Sequence, residues 1–283
     1  MKNFAVLQLA GCAGCEVSLL DADAWIGTHR LAYMPLVSSV QEIPAVDMLL
    51  VSGGVRTDED RHRLRRAVLK AKTVIAVGTC AIAGGVASLG NRAAVRRHFA
   101  EHEERHHLPH LLPQNSPIDD FVTVDRYLPG CPPTPELFMA VLSGDETLHF
   151  GKTVCTECGR KKAKELRPAR LEGFRESRVM PDICLIKQGF LCVGTSTRNG
   201  CGAPCTRAGF PCVGCRGPSD ILIEKQSGAW FETMNKVFHA LTDIPPDTVD
   251  AGLRSPQYAL FLFQFSDADS PGAKAPRPKE RIL

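Results

Sequence analysis

Apolar and polar positions fall into regular blocks along the first half of the chain. Residues 4–9 are a short apolar run that predicts a first strand, and Val17-Ser18-Leu19-Leu20 starts a helix expected to reach about Gly27. Residues 31–37 predict a second strand. Residues 46–52 are apolar almost throughout, the mark of a strand buried on both faces. Thr57 followed by Asp58, Glu59 and Asp60 sets a capping residue and early acids at a helix start, with the helix running to about Lys72. Residues 73–77 are another buried strand, residues 121–128 alternate as a strand, and Thr134-Pro135-Glu136 opens a helix. Short strands alternating with helices predict an α/β fold, a doubly wound parallel sheet with helices on both faces.

From about Gly151 the periodicity fades. The expected organisation is therefore a sheet domain over residues 1–150 and an irregular, cysteine-rich domain over residues 151–283. Within the second domain, residues 228–241 carry Trp230, Phe231, Met234, Val237, Phe238 and Leu241 on one helical stripe, read as core or subunit interface. Residues 258–265 form a strand or core segment, and residues 270–283, rich in Pro, Lys and Arg, form a flexible tail.

Composition narrows the function classes. The chain has 283 residues, 44% hydrophobic and 23% charged, with a net charge of only +3. Lys and Arg are spread along it, which argues against nucleic-acid binding. No apolar run approaches the roughly 20 residues of a membrane helix. His98, His102 and His106 recur at helical spacing in a charged stretch, read as a solvated helix face and not as ligands.

Twelve cysteines change the picture. Cys12/Cys15, Cys155/Cys158 and Cys212/Cys215 are C-x-x-C pairs in a chain far larger than a disulfide scaffold, so metal binding in a reducing cytoplasm is expected. Leu9-Ala10-Gly11-Cys12 has the form of a lipoprotein cleavage site, but the segment before it has one Lys and a short apolar run interrupted by Gln8, too weak for a signal sequence. Cys12, Cys15, Cys80 and Cys131 each stand just past the carboxyl end of a predicted strand. In a parallel sheet these ends share one edge, so three loops distant in sequence bring four thiolates to one place. Four thiolates suit a 4Fe-4S cluster or a zinc ion. Cys155, Cys158, Cys184, Cys192, Cys201, Cys205, Cys212 and Cys215 follow within about sixty residues of little regular structure, enough for two more clusters or for zinc ribbons. A cluster at a sheet edge with two more in the same chain would make an electron path, whereas zinc carries no electrons.

The ordered series Cys12-Ala13-Gly14-Cys15-Glu16, Gly78-Thr79-Cys80, Pro129-Gly130-Cys131-Pro132-Pro133, and Cys192 through Pro218 resembles the small, electron-transferring subunit of nickel–iron hydrogenases over nearly the whole chain. The resemblance implies a flavodoxin-like domain followed by an iron–sulfur domain, with three 4Fe-4S clusters. By position, Cys12, Cys15, Cys80 and Cys131 match the proximal ligands. Cys155, Cys158, Cys184 and Cys192 match the distal ones, and Cys201, Cys205, Cys212 and Cys215 the medial ones. The membrane-linked branch of the family usually has His at the position of Cys155 and Pro near Cys205, with a twin-arginine signal. Cysteine at both positions and no such signal point to the cytoplasmic branch.

The insert between Cys158 and Cys184 favours the methyl-viologen-reducing type linked to heterodisulfide reductase. Deazaflavin-reducing and NAD(P)-linked types are the alternatives within the family. The implied partners are a large subunit holding the nickel–iron site and a downstream iron–sulfur or flavin subunit that accepts electrons. The chain itself has no C-x-x-C pair left over for nickel. Glu16 matches a family carboxylate implicated in proton movement; as an ordinary residue it would be an acid favoured at a helix start. Two readings outside this family remain: the related quinone-reductase subunit, which has one cluster, adjacent cysteines in its first motif and no second domain, and a zinc-stabilised interaction module.

Overall fold

A computed structural model describes residues 1–103, 108–144, 150–173, 178–224 and 229–254. Residues 1–144 form one compact unit, and the described residues from Phe150 onward form a second. The segments 258–265 and 270–283, and His106, lie outside the described residues, as do the side chains of Trp230 and Phe231.

The first unit is built on β1 (Lys2–Gln8), β2 (His29–Tyr33), β3 (Val46–Ser52), β5 (Ala71–Val77) and β7 (Arg126–Leu128). They pair in the order β2-β1-β3-β5-β7, parallel throughout. Counted within the sheet this is 2-1-3-4-5, the flavodoxin order, with its switch point between β1 and β3. The expected fold class is the one observed. Phe4, Ala5, Val6 and Leu7 are all buried, as are Leu49, Leu50 and Val51. Burial of each large side chain contributes about 1.5–3 kcal/mol, so the residues just ahead of Cys12 are the inner strand of the core.

The helices are α1 (Gly14–Leu20), α2 (Asp58–Val68), α3 (Gly78–Ala83), α4 (Ala93–Glu103) and α5 (Pro135–Ser143). α2 opens on a full capping box: Thr57 Oγ1 accepts from the Asp60 N–H at 3.0 Å, and the Asp60 carboxylate accepts from the Thr57 N–H at 3.0 Å.

Several boundaries differ from the expected ones, each for a local reason. α1 stops at Leu20 and not near Gly27, because Trp25 Nε1 donates to the Leu19 carbonyl at 3.0 Å and the chain tightens into a 3-10 turn, Asp23–Trp25. β2 ends at Tyr33 because the chain then turns through Pro35, which has no N–H for a ladder. α2 ends at Val68, since the Lys70 carbonyl already accepts from Val46 at the head of the sheet. Of residues 121–128 only Arg126–Leu128 are strand. The Asp125 carboxylate takes the Val74 N–H at 2.7 Å while the Asp125 N–H donates to the Val74 carbonyl at 2.9 Å, and Phe121, Val122 and Val124 pack on the core from a loop.

One pairing was not expected. β4 (Val55–Thr57) pairs antiparallel with β6 (Leu111–Ser116), whose sequence Leu-Leu-Pro-Gln-Asn-Ser has no alternation to reveal it.

The second unit has short helices: α6 (Cys155–Cys158), α7 (Pro204–Arg207) and α8 (Asp220–Glu224), then the longer α9 (Ala229–Leu241) and α10 (Pro246–Arg254). Met234 and Phe238 on α9 are fully buried, with Val237 and Leu241 packed on the same core beside Phe190, Leu191 and Val249. The basic insert after Cys158 is partly structural. Arg167 caps the end of α9, donating to the carbonyls of Ala240 (3.1 Å) and Thr242 (2.8 Å) while Nε pairs with Asp243 at 2.8 Å. Arg160 ties Thr206, Met180 and Ile183 together through their carbonyls.

Candidate iron–sulfur sites

The four cysteines of the first unit converge on the carboxyl edge of the sheet. Cys12 and Cys15 follow β1, Cys80 lies in α3 directly after β5, and Cys131 lies in the loop after β7. That edge is tied together by hydrogen bonds between loops. Thr79 donates to the Gly130 carbonyl from its N–H (2.9 Å) and its hydroxyl (3.1 Å), linking the Cys80 and Cys131 loops. Ser18 Oγ donates to the Pro133 carbonyl at 2.6 Å, linking α1 to the Cys131 loop. Ala10 and Gly54 exchange backbone bonds at 3.0 and 2.9 Å, linking the β1 and β3 exits.

The sulfurs are crowded by backbone, not by side chains. A Cβ on Gly78, whose φ is +80°, would stand 2.5 Å from Cys15 Sγ, and one on Gly85, with φ +58°, would stand 2.6 Å from Cys80 Sγ. Only glycine allows both the positive φ and the approach. Sequence reading missed the residue that sets the Gly85 loop: Asn115 on β6. Its Nδ2 donates to the Gly84 carbonyl at 2.9 Å and to Ser88 Oγ at 3.1 Å, and its N–H donates to Asn91 Oδ1 at 2.7 Å. The loop so held turns the Val86 and Ala87 N–H groups toward Cys80 sulfur. A lone Asn in a non-alternating segment gave no signal.

Burial pushes the Cys15 thiol well up, and the charges of Glu16, Cys80, Cys131 and Cys12 add to the effect. The Cys80 thiol is raised by burial too, with the Ala87 N–H opposing. Thiols as desolvated as Cys15 and Cys80 resist ionising unless cationic metal takes them as thiolates. The donor set therefore fits a metal cluster.

Glu16 is buried, 2% exposed, and its carboxylate accepts from Ser52 Oγ at the end of β3. Cys15, Glu16, Leu19, Leu50, Ser52, Val77 and Phe138 line a small cavity with room for about one water.

In the second unit the cysteines influence one another along the chain of loops. Cys155 senses Cys158 and Cys184, and Cys192 senses Cys155 and Cys184; burial pushes Cys155 up to about 11 and Cys192 to about 12. Burial raises the Cys212 thiol, with the charge of Cys192 adding to it and that of Cys215 adding less. Cys205 is exposed on α7, next to Ala203, whose N–H points to Cys201 sulfur. Two features were missed in the sequence. Glu157, inside the Cys155/Cys158 pair, accepts from the N–H groups of Gly200 (2.8 Å) and Gly202 (3.1 Å) on either side of Cys201. Arg198 and Arg216 are 1% and 2% exposed, positions that a basic residue in a loop does not advertise.

Among the described residues, which include every cysteine, the one group of three metal-type ligand atoms within 4.8 Å of one another is His98, Glu101 and His102, on the outer face of α4. There His102 Nδ1 lies 2.7 Å from the His98 carbonyl.

Comparison with known proteins agrees with this chemistry. The family profile described as NADH ubiquinone oxidoreductase, 20 Kd subunit, matches residues 12–144. A subunit of the F420-non-reducing hydrogenase vhu of Methanocaldococcus jannaschii is 38% identical over 244 residues, covering 79% of this chain and 84% of that protein. A subunit of the F420-non-reducing hydrogenase of Methanothermobacter marburgensis is 31% identical over 242 residues, covering 77% and 79%. Among solved structures, the actinobacterial-type NiFe-hydrogenase from Ralstonia eutropha H16 superposes with a TM-score of 0.54 at 18% identity, over 92% of this chain and 88% of that one, a likeness of fold. The profile matches the sheet unit, while the relatives extend through the cysteine-rich unit as well. The chain therefore belongs to the small-subunit family of the nickel–iron hydrogenases, iron–sulfur subunits that pair with a large subunit in a heteromeric oxidoreductase.

Proposed function

We propose that the chain conducts electrons, released from dihydrogen in the large subunit, through three 4Fe-4S clusters to a downstream iron–sulfur or flavin subunit of heterodisulfide-reductase type. Cys12, Cys15, Cys80 and Cys131 would hold the proximal cluster. Cys201, Cys205, Cys212 and Cys215 would hold the medial one, and Cys155, Cys158, Cys184 and Cys192 the distal one. Bound there, the clusters would take up and give up single electrons. The residues of the chain seat them, exclude water, and direct N–H groups at their sulfurs.

The observation that carries this reading is the convergence of Cys12, Cys15, Cys80 and Cys131, from three loops distant in sequence, on the carboxyl edge of the sheet. The relatives named as hydrogenase subunits favour the reading over the zinc module. A cysteine-rich second unit that shares the relatives' alignment favours it over a one-cluster quinone-reductase subunit. The relatives named F420-non-reducing favour the reading over the deazaflavin-reducing type.

Glu16 would carry protons between the large subunit and solvent, held by Ser52 beside the small cavity. The face toward the large subunit would be the carboxyl edge of the sheet, where Val17, Leu36, Val37 and Val40 stand about half exposed. Twelve thiols with no disulfide among them favour a reducing cytoplasm. No helix among the described residues is long and apolar enough to cross a membrane.

Iron, sulfide and zinc analysis of the anaerobically purified complex tests the reading. About twelve iron and twelve labile sulfide per copy of this chain, beyond the large subunit's own iron, are expected. Zinc in their place, or iron near four, would overturn it.

A further inference from the structure

α4 carries a group of side chains that the proposed electron path does not use. His98, Glu101 and His102 stand near its C-terminal end, and one ligand atom from each lies within 4.8 Å of the other two. The spacing His-x-x-Glu-His explains why they meet, since residues three and four apart on a helix share a face. The two imidazoles approach to 4.6 Å between ring centroids, tilted by 43°. From the sequence these histidines read as a solvated face. In the fold His98 and Glu101 are indeed exposed and His102 is half-buried, but the face also holds a carboxylate and an imidazole of fixed orientation.

His102 is fixed by the helix backbone. Its Nδ1 stands 2.7 Å from the His98 carbonyl. A carbonyl can only accept, so Nδ1 carries the proton and the lone pair of the neutral ring is on Nε2. Metal-ligating histidines are held in this way: the second ring N–H is given to a carbonyl or carboxylate, which sets the tautomer and the ring orientation. The other imidazole, that of His98, lies against Phe99, edge to face at 6.0 Å and 71°. Glu101 makes no ion pair with another described residue, which leaves its carboxylate available. The end of the helix adds to this. Glu101 and His102 lie in the last turn of α4 (Ala93–Glu103), where the unpaired carbonyls place partial negative charge and favour a cation.

We propose that His98, Glu101 and His102 form a binding site for a divalent transition-metal cation of the zinc or nickel kind. Imidazole nitrogen suits these ions, whereas magnesium and calcium take oxygen ligands. A metal bonding nitrogen and oxygen at about 2.0–2.2 Å spans ligand atoms up to about 4.4 Å apart, so rotation of exposed side chains closes any gap that remains. Three protein ligands leave at least one position to water. That is the coordination of an exchangeable ion and not of a closed structural site. No cysteine takes part, so the inference stands or falls independently of how the cysteines are assigned.

The test is equilibrium dialysis of the anaerobically purified complex against micromolar zinc, followed by metal analysis. It compares the wild type with His98→Ala, His102→Ala, Glu101→Ala and, as a control, His62→Ala at an exposed histidine of α2. Zinc taken up by thiols or by the large subunit is common to all of these proteins and cancels in the comparison. The wild type and His62→Ala should each hold one zinc per chain more than His98→Ala and His102→Ala. Glu101→Ala should bind that zinc at least about tenfold more weakly. Ala is a good helix former, so these substitutions leave α4 in place. A large excess of magnesium should not displace the extra zinc. Equal uptake in the wild type and both α4 histidine variants overturns the proposal, as does an equal loss in His62→Ala. Displacement of the zinc by magnesium also overturns it, since the face would then be an ordinary acidic surface.

Discussion

The backbone N–H of Cys212 donates to the sulfur of Cys192 at 3.3 Å, with both residues buried. The two cysteines belong to different sets in the proposed partition, so one hydrogen bond joins two neighbouring sites. An N–H aimed at a ligating sulfur stabilises negative charge on it, and a change in either site is felt in the other.

Cys192→Ala should therefore cost more than its own cluster. Iron is expected to fall by more than about four per chain, because the Cys212 backbone loses its acceptor. Cys155→Ala, in the same set, should cost no more than about four. Equal losses in the two variants would contradict the coupling.

Cys205 is the exposed member of its set. Cys205→Ala should leave a cluster that readily sheds one iron, visible after oxidation as a three-iron paramagnetic signal. A wild-type protein already showing that signal in full would mean that Cys205 is not a ligand.

Gly78→Ala places a methyl on Cys15 sulfur and strains a backbone at φ +80°. The strain alone costs about 1–2 kcal/mol. About four irons, those of the first unit, should be lost. Retention of full iron would show that the sheet-edge loops are looser than their hydrogen bonds suggest.

Glu16→Gln keeps size and hydrogen bonding but cannot exchange a proton near neutral pH. Hydrogen oxidation with an artificial dye should fall by about an order of magnitude or more, with iron content and reduction by dithionite unchanged. Ser52→Ala, which removes the donor to Glu16, should lower the rate by about five- to tenfold. Wild-type rates with Gln at this position would make Glu16 only an acid at a helix start.

Val37→Glu puts a charge on the apolar part of the sheet edge, about half exposed in the isolated chain. Co-purification with the large subunit should be lost while the iron of the second unit is kept. Full pairing in this variant would place the interface elsewhere.

Much of this protein was legible in its residues. Val46–Ser52 and Ala71–Val77 are inner strands, and a strand buried on both faces must be apolar throughout, so its own composition announces it. Thr57 and Asp60 announce the start of α2 because a capping box is satisfied within four residues. The cysteines announce metal because their C-x-x-C pairs need only local geometry.

Tertiary structure decided what depends on distant partners. Where β7 begins was settled by Asp125 meeting Val74, across an edge the sequence does not mark. The seat of Cys80 sulfur was settled by Asn115, 35 positions along the chain and on a strand with no periodicity to betray it. Glu157 and Arg216 look like ordinary surface charges in the sequence. Only the folded second unit shows one clamping the loop of Cys201 and the other buried against it. Ligand identity is carried by side-chain chemistry, which the chain states residue by residue. The placing of charge and N–H groups around each sulfur is a property of loops brought together from far apart, and no single segment contains it.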